Sequence, residues 1–104
     1  MQFVRRAWGY YLTLLDRKHF KIKILRFNGH TPLSMQHHHH RNELWLFLKG
    51  EGVMLKSKKQ CKVKAGDYIY IPIGKGHQYW PHKKTTVLEV QFGEKCEEKD
   101  IVRT

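Results

Sequence analysis

Cysteine is scarce in this chain: 104 residues include only Cys61 and Cys96. One well-separated pair is neither a disulfide framework nor a Cys-x-x-Cys site, so free thiols in a reducing compartment, and hence a cytoplasmic protein, are expected. Proline is nearly as rare, with three residues, and no Pro/Ser-rich linker divides the chain. Residues 1–104 therefore read as a single domain. Long apolar runs are absent too. Trp8–Leu15 and Leu44–Leu48 fall far short of the ~20 residues of a membrane span, so no membrane partner is expected. Asp16 ends the first run and no small-residue cleavage site follows, which argues against a secretory signal. Acidic residues number 9 against 20 Lys and Arg, a formal net charge of +11. Such an excess attracts anions. A solvated lysine-rich surface is the first reading of it, with a small anionic ligand as an alternative; nucleic acid comes last, because no reading motif accompanies the charge and the basic residues are scattered.

What the chain has in quantity is strand signal. Phe20 to Phe27 alternates apolar and charged residues as far as Ile24-Leu25, and Asn28-Gly29 is a turn dipeptide. Leu33 to His40 reads as a second extended run. Glu43 to Lys49 is a third, ended by Gly50-Glu51-Gly52. Val53–Lys59, Gln60–Lys64, Tyr68–Ile73 and Thr85–Phe92 follow as strands, with Ala65-Gly66-Asp67 and the Pro72/Gly74/Gly76 segment as turns. Only Glu94–Val102 and the first few residues offer helical options. Short strands at this spacing imply an all-β sandwich or barrel.

The chemistry concentrates in Gln36 to Glu43, which contains four consecutive histidines. On a strand, alternate side chains share a face. Gln36, His38 and His40 then point one way, and His37 and His39 the other, outward. Imidazoles two apart can bind one metal, and a nearby carboxylate such as Glu43 can complete the set. A second histidine, His77, follows the Pro72/Gly74 turn. Spacing alone permits His38, His40, Glu43 and His77 as ligands.

Two spaced patterns resemble the cupin superfamily. Gly29, Gln36-x-His38, Glu43 and Gly50 follow its first motif, spanning residues 29–50. Gly66, Pro72, Gly74 and His77 follow its second, spanning 66–81, with 15 residues between Gly50 and Gly66. Leu33-Ser-Met-Gln-His-His-His-His-Arg-Asn-Glu-Leu-Trp45 further resembles the signature of the type II mannose-6-phosphate isomerase cupin. Arg6-Ala-Trp-Gly-Tyr10, Leu88-Glu-Val-Gln91 and Asp100-Ile-Val-Arg103 agree with that family. Leu44 stands where it usually has His and Pro81 where it often has Asn. The sequence ends at Thr104, ahead of the family's Asp-x-Tyr-Gly-Arg tail.

The resemblance implies a jelly-roll barrel with a divalent metal, zinc first, with iron, manganese or nickel as alternatives. Its ligands would be Gln36, His38, Glu43 and His77, so Gln36 and His40 compete for the fourth place. It implies isomerisation of a sugar phosphate by proton transfer through an enediol, and commonly a homodimer. His40, if not a ligand, is the first candidate for the base, and Glu89 the second. Arg41, Lys75 and Arg103 are candidates for holding the phosphate, with Gln91 beside Glu89 on the barrel wall. A non-enzymatic cupin binding a sugar or small anion, or an Fe(II) dioxygenase, are the competing readings.

Overall fold

The computed structural model describes residues 1–103. They form strands β1 (Gln2–Arg6), β2 (Gly9–Asp16), β3 (Phe20–Phe27), β4 (Gln36–His37), β5 (Arg41–Lys49), β6 (Glu51–Lys56), β7 (Lys59–Lys64), β8 (Tyr68–Ile71), β9 (His77–Pro81), β10 (Thr85–Gly93) and β11 (Val102–Arg103). One sheet runs β1-β2-β3-β10-β5-β8 and the other β11-β4-β9-β6-β7, and the pairing is antiparallel throughout. The all-β expectation holds. Among the described residues there is no helix, so the helical option at Glu94–Val102 is corrected: residues 94–101 form an irregular segment that ends in β11. The run expected from Leu33 to His40 shrinks to β4, and no helix is long and apolar enough to cross a membrane.

Strand alternation sorts each strand into an inward and an outward set. The inward sets are apolar at one end of the barrel and polar at the other. Cross-strand register aligns Leu25, Val87 and Phe47 in one layer, Lys23, Glu89 and Trp45 in the next, and Lys21, Gln91 and Glu43 in the third. The apolar end is packed by Trp8, Phe27, Phe47, Met54, Val63 and Tyr79. Phe27 stacks on Trp8 at 4.5 Å and meets the Tyr79 ring edge-on at 4.9 Å. Each such ring buries enough apolar surface to contribute about 1.5–3 kcal/mol. This layer is the rigid floor on which the polar layers stand.

On β3 the alternation runs opposite to hydropathy. Lys21 and Lys23 are buried, while Ile22 and Ile24 lie on the outer face. The same holds on β10, where Glu89 and Gln91 point in and Leu88 and Val90 point out. The middle of the six-stranded sheet thus presents an apolar exterior, with Arg26 and Thr86 on one side of it. Leu12, Ile24, Leu88, Leu46 and Tyr68 form one cross-strand row, and Ile22, Val90, Leu44 and Tyr70 the next.

The turn between β5 and β6 requires glycine. Gly50 has φ +93°, and a Cβ there would meet the Lys84 carbonyl oxygen at 2.4 Å. That close approach lets β5 run straight from the site residues to the hairpin that closes the second sheet.

Candidate metal centre and cavity

His38, Glu43 and His77 converge at the polar end of the barrel. Their ligand atoms all lie within 4.8 Å of one another, and all three residues are buried. Glu43 is carried inward by β5 and His77 by the first position of β9. His38 follows β4, where the chain leaves the sheet. Backbone contacts tie the two motifs together: Gly74 N–H donates to the His38 carbonyl at 2.8 Å, and Gln36 is the register partner of His77.

The orientation of His38 is fixed from behind. Its Nδ1–H donates to the Asp100 carbonyl at 2.6 Å. In the neutral imidazole that leaves the Nε2 lone pair facing the Glu43 carboxylate, 2.9 Å from Oε2. Two electron-rich atoms at that separation require a cation between or beside them: a proton, which makes His38 Nε2–H a donor to Glu43, or a metal ion. His77 adds a third donor: it is fully buried and neither ring nitrogen has a hydrogen-bond partner. Buried polar atoms left unpaired in this way are rare and need a reason. Two imidazole nitrogens and a carboxylate suit a divalent transition metal, and these residues fit one.

Arg41 is the cation already present. Its Nε donates to Glu43 Oε2 at 3.1 Å, its Nη2 lies 3.4 Å from His38 Nε2, and its Nη1 donates to the Glu97 carbonyl at 2.7 Å. Trp45 Nε1–H donates to Glu43 Oε1 at 3.0 Å. Burial acts to raise the Glu43 pKa. The hydrogen bond from His38 and the charges of His77, His38 and Arg41 outweigh it and hold the carboxyl well below the usual range. Burial pushes the His77 pKa down, against the pull of Glu43.

A cavity of about 290 Å³ opens beside these residues, lined by Gln36, Arg41, Trp45, Glu89, Gln91, Lys23, Tyr11, Arg6, Glu98 and Arg103 among others. Glu89 and Gln91 face inward here, with Gln91 Nε2–H donating to Glu89 Oε1 at 2.8 Å. Burial, reinforced by the Glu43 charge, raises the Glu89 pKa to about 8 against the opposing influence of Lys23.

Not every residue singled out in the sequence comes to this place. His40 does not. The alternation that would have carried it inward with His38 ends at His37, because the chain bends at His39 and His40 and their N–H groups donate to the Asp100 carboxylate, both at 2.9 Å. The His40 ring turns outward, half exposed, 3.9 Å from Glu94. Lys75 is exposed in the turn before β9 and does not line the cavity. Gln36 is buried against the cavity with its Nε2–H on the Ser34 carbonyl at 3.3 Å, and Arg103, opposite Gln36 in register, lies at the cavity's edge. Arg41 lines the cavity, but its guanidinium is engaged by Glu43. Four residues of the site were not singled out from the sequence: Tyr11, Lys23, Glu98 and the orienting Asp100. The available signals were the Asp100-Ile-Val-Arg103 stretch, which gives Asp100 no role, and the Lys-Ile-Lys-Ile alternation of β3, which does not say which face is inside.

The family described as Mannose-6-phosphate isomerase C-terminal matches residues 1–104. The chain belongs to that family. It is 31% identical over 102 residues to a mannose-1-phosphate guanylyltransferase of Klebsiella pneumoniae, covering 96% of this chain and 22% of that protein. The chain thus spans about a fifth of the length of the curated relatives it matches. Among solved structures, KdgF from a Halomonas species superposes with a TM-score of 0.79 at 9% identity, covering 89% of this chain and 88% of that one. The cupin domain of Cnp3 from Schizosaccharomyces pombe gives 0.77 at 9% identity, covering 81% and 64%. At those identities the likeness concerns the fold, and the fold of this family member is a cupin.

Proposed function

We propose that this cupin is a metal-dependent isomerase of a sugar phosphate, interconverting an aldose and a ketose of the mannose 6-phosphate and fructose 6-phosphate type. The observation that carries the reading is the placement of an acid-base carboxyl, Glu89, on the wall of a cavity whose lining residues Arg41, Gln36 and Gln91 adjoin the His38, Glu43 and His77 donor set. The family and its sugar-phosphate relatives support the substrate class.

His38, Glu43 and His77 would hold the metal, zinc by preference for nitrogen and oxygen donors, with Gln36 adjacent. When bound, the metal polarises a sugar oxygen next to the reacting carbons. Glu89 takes the proton from C2 of the aldose. The electron pair released forms the enediol double bond, Glu89 returns its proton to C1, and the proton lost by the C2 hydroxyl as it becomes the carbonyl balances the one gained by the C1 oxygen. A carboxyl with a pKa near the working pH is suited to move a proton in both directions. Gln91 orients Glu89, and the apolar floor of Phe47 and Val87 keeps bulk water from below. Glu89 replaces His40 as the base, since the His40 ring faces away. The test is the coupled assay for mannose 6-phosphate turnover with Glu89→Gln. Turnover should fall at least about a hundredfold at unchanged metal content. Retained turnover overturns the role of Glu89.

We also propose that a second copy of the chain covers the outer face of the six-stranded sheet. Its two rows of aliphatic and tyrosine side chains contain no charge, on a protein that is 28% charged. Six strands at about 4.8 Å spacing span ~24 Å, and sheets of this kind stack face to face. A self-complementary apolar face of that width is of the order that a stable dimer buries.

A further inference from the structure

Lys21 and Lys23 lie side by side on the inner wall, 5% and 3% exposed. Two ammonium groups buried together repel each other and need an anion. Glu98 provides it from the irregular segment between β10 and β11. Its Oε2 lies 2.9 Å from Lys21 Nζ and its Oε1 2.7 Å from Lys23 Nζ. Tyr11 Oη–H donates to the same Oε1 at 3.4 Å, and Lys23 Nζ sits 4.0 Å above the Tyr11 ring. The arrangement is asymmetric. The lysine side chains are 6% and 4% exposed, whereas Glu98 is 44% exposed. The cationic cradle is therefore part of the barrel wall, and the carboxylate enters it from the solvent side. Lys23, Tyr11 and Glu98 line the cavity that also holds Glu89.

We propose that Lys21, Lys23 and Tyr11 form the subsite for the anionic group of the ligand, and that Glu98 occupies this subsite as a built-in competitor which a phosphate displaces. The proposal rests on the reading of the ligand as a phosphorylated sugar. A phosphate monoester presents several oxygens, where the carboxylate presents two, to the same three donors. Charge-assisted hydrogen bonds of this kind are the strong ones. The segment stays attached when Glu98 leaves, because Asp100 remains clamped to His38, His39 and His40. The competitor holds its place firmly: burial alone would raise the Glu98 pKa, yet Lys23 and Lys21 bring it down to about 2. With the subsite empty of ligand, Glu98 also keeps Lys23 paired beside Glu89, while Lys21 has a second, longer contact to Asp16 at 3.7 Å.

The test is calorimetric titration of the full chain with inorganic phosphate, and with mannose 6-phosphate against mannose. Glu98→Gln removes the charge of the competitor and keeps its shape, and circular dichroism confirms that the variant is folded before titration. Because apparent affinity scales with the fraction of free sites, phosphate should bind this variant at least about tenfold more tightly than the unaltered chain. The double variant Glu98→Gln/Lys23→Met, which removes both charges of the pair, should lose that gain. Equal or weaker phosphate binding by Glu98→Gln overturns the proposal. So does a gain that survives Lys23→Met, because phosphate would then bind elsewhere on this basic protein. Tight phosphate binding without isomerase turnover leaves the subsite standing and removes the isomerase reading. Turnover with no change in phosphate affinity does the reverse.

Discussion

Replacing Arg41 by Met tests how charge is balanced in the metal centre. Arg41 and Glu43 are 5% and 1% exposed, and their contact is 3.1 Å. Removing the guanidinium leaves a buried carboxylate whose remaining neighbours are the indole N–H of Trp45, His38 Nε2 at 2.9 Å and His77, whose ring nitrogens have no hydrogen-bond partner. Breaking one partner of a buried ion pair costs about 3–5 kcal/mol. For a domain of this size that corresponds to a fall of at least ~10 °C in Tm. The methionine replaces most of the aliphatic volume, so the loss is chiefly electrostatic. A divalent metal supplies positive charge at the same carboxylate. The penalty should therefore be full in chelator-treated protein and much smaller in metal-loaded protein. Urea unfolding of both forms, with and without excess zinc, measures the difference. A loss below about 1 kcal/mol in the chelated variant, or a loss that metal leaves unchanged, would refute the assignment of Glu43 as a ligand that needs a cation.

Other outcomes follow from the same geometry. His38→Ala and His77→Ala should each sharply lower metal content by inductively coupled plasma mass spectrometry, while His37→Ala and His40→Ala should leave it unchanged; equal losses in all four would contradict the outward placement of the last two. The Glu98 carboxyl has its pKa depressed from 4.5 to about 2, so its anchorage is complete above about pH 4.5 and is lost as the pH falls through about 2. A carboxyl-detected NMR titration should find that low midpoint, and a midpoint above 4 would show the lysine cradle to be absent in solution. Leu46→Lys, in the middle of the outer apolar rows, should turn a dimer into a monomer in analytical ultracentrifugation at unchanged fold; a monomeric unaltered protein would exclude the second copy on that face.

The barrel was legible in the sequence because turns and motifs are local. Gly50, Gly66 and the Pro72/Gly74 turn mark the ends of strands, and the spacing from Glu43 to His77 brings the donors together once the strands pair. His38, Glu43 and His77 were found for that reason. His40 was misjudged because period-two alternation assumes an unbroken strand. The carboxylate of Asp100, some sixty residues away in sequence, caps the His39 and His40 N–H groups and bends the chain there. The interior was harder to read. Lys21 and Lys23 alternate with isoleucines, and hydropathy alone sends the lysines outward. They point inward because Glu98 and Glu89 balance their charge inside and because the isoleucines alternating with them join two uncharged rows on the outer face of that sheet. That pairing connects β3 with a segment that has no strand or helix pattern of its own. For the same reason Glu94–Val102 read as a helical option: its fixed shape comes from contacts to Lys21, Lys23, His38 and Arg41, none of them local.

The central claim is that this metal centre and Glu89 together move a proton between adjacent carbons of a sugar phosphate. NMR of mannose 6-phosphate incubated with the metal-loaded protein in deuterium oxide tests it most directly. The expected result is fructose 6-phosphate, with deuterium at C1 in the fraction of turnovers in which Glu89 exchanges its proton with solvent before returning it, formed with the unaltered chain and not with Glu89→Gln or after chelation. Neither conversion nor deuterium incorporation, at full metal occupancy and millimolar substrate, would contradict it.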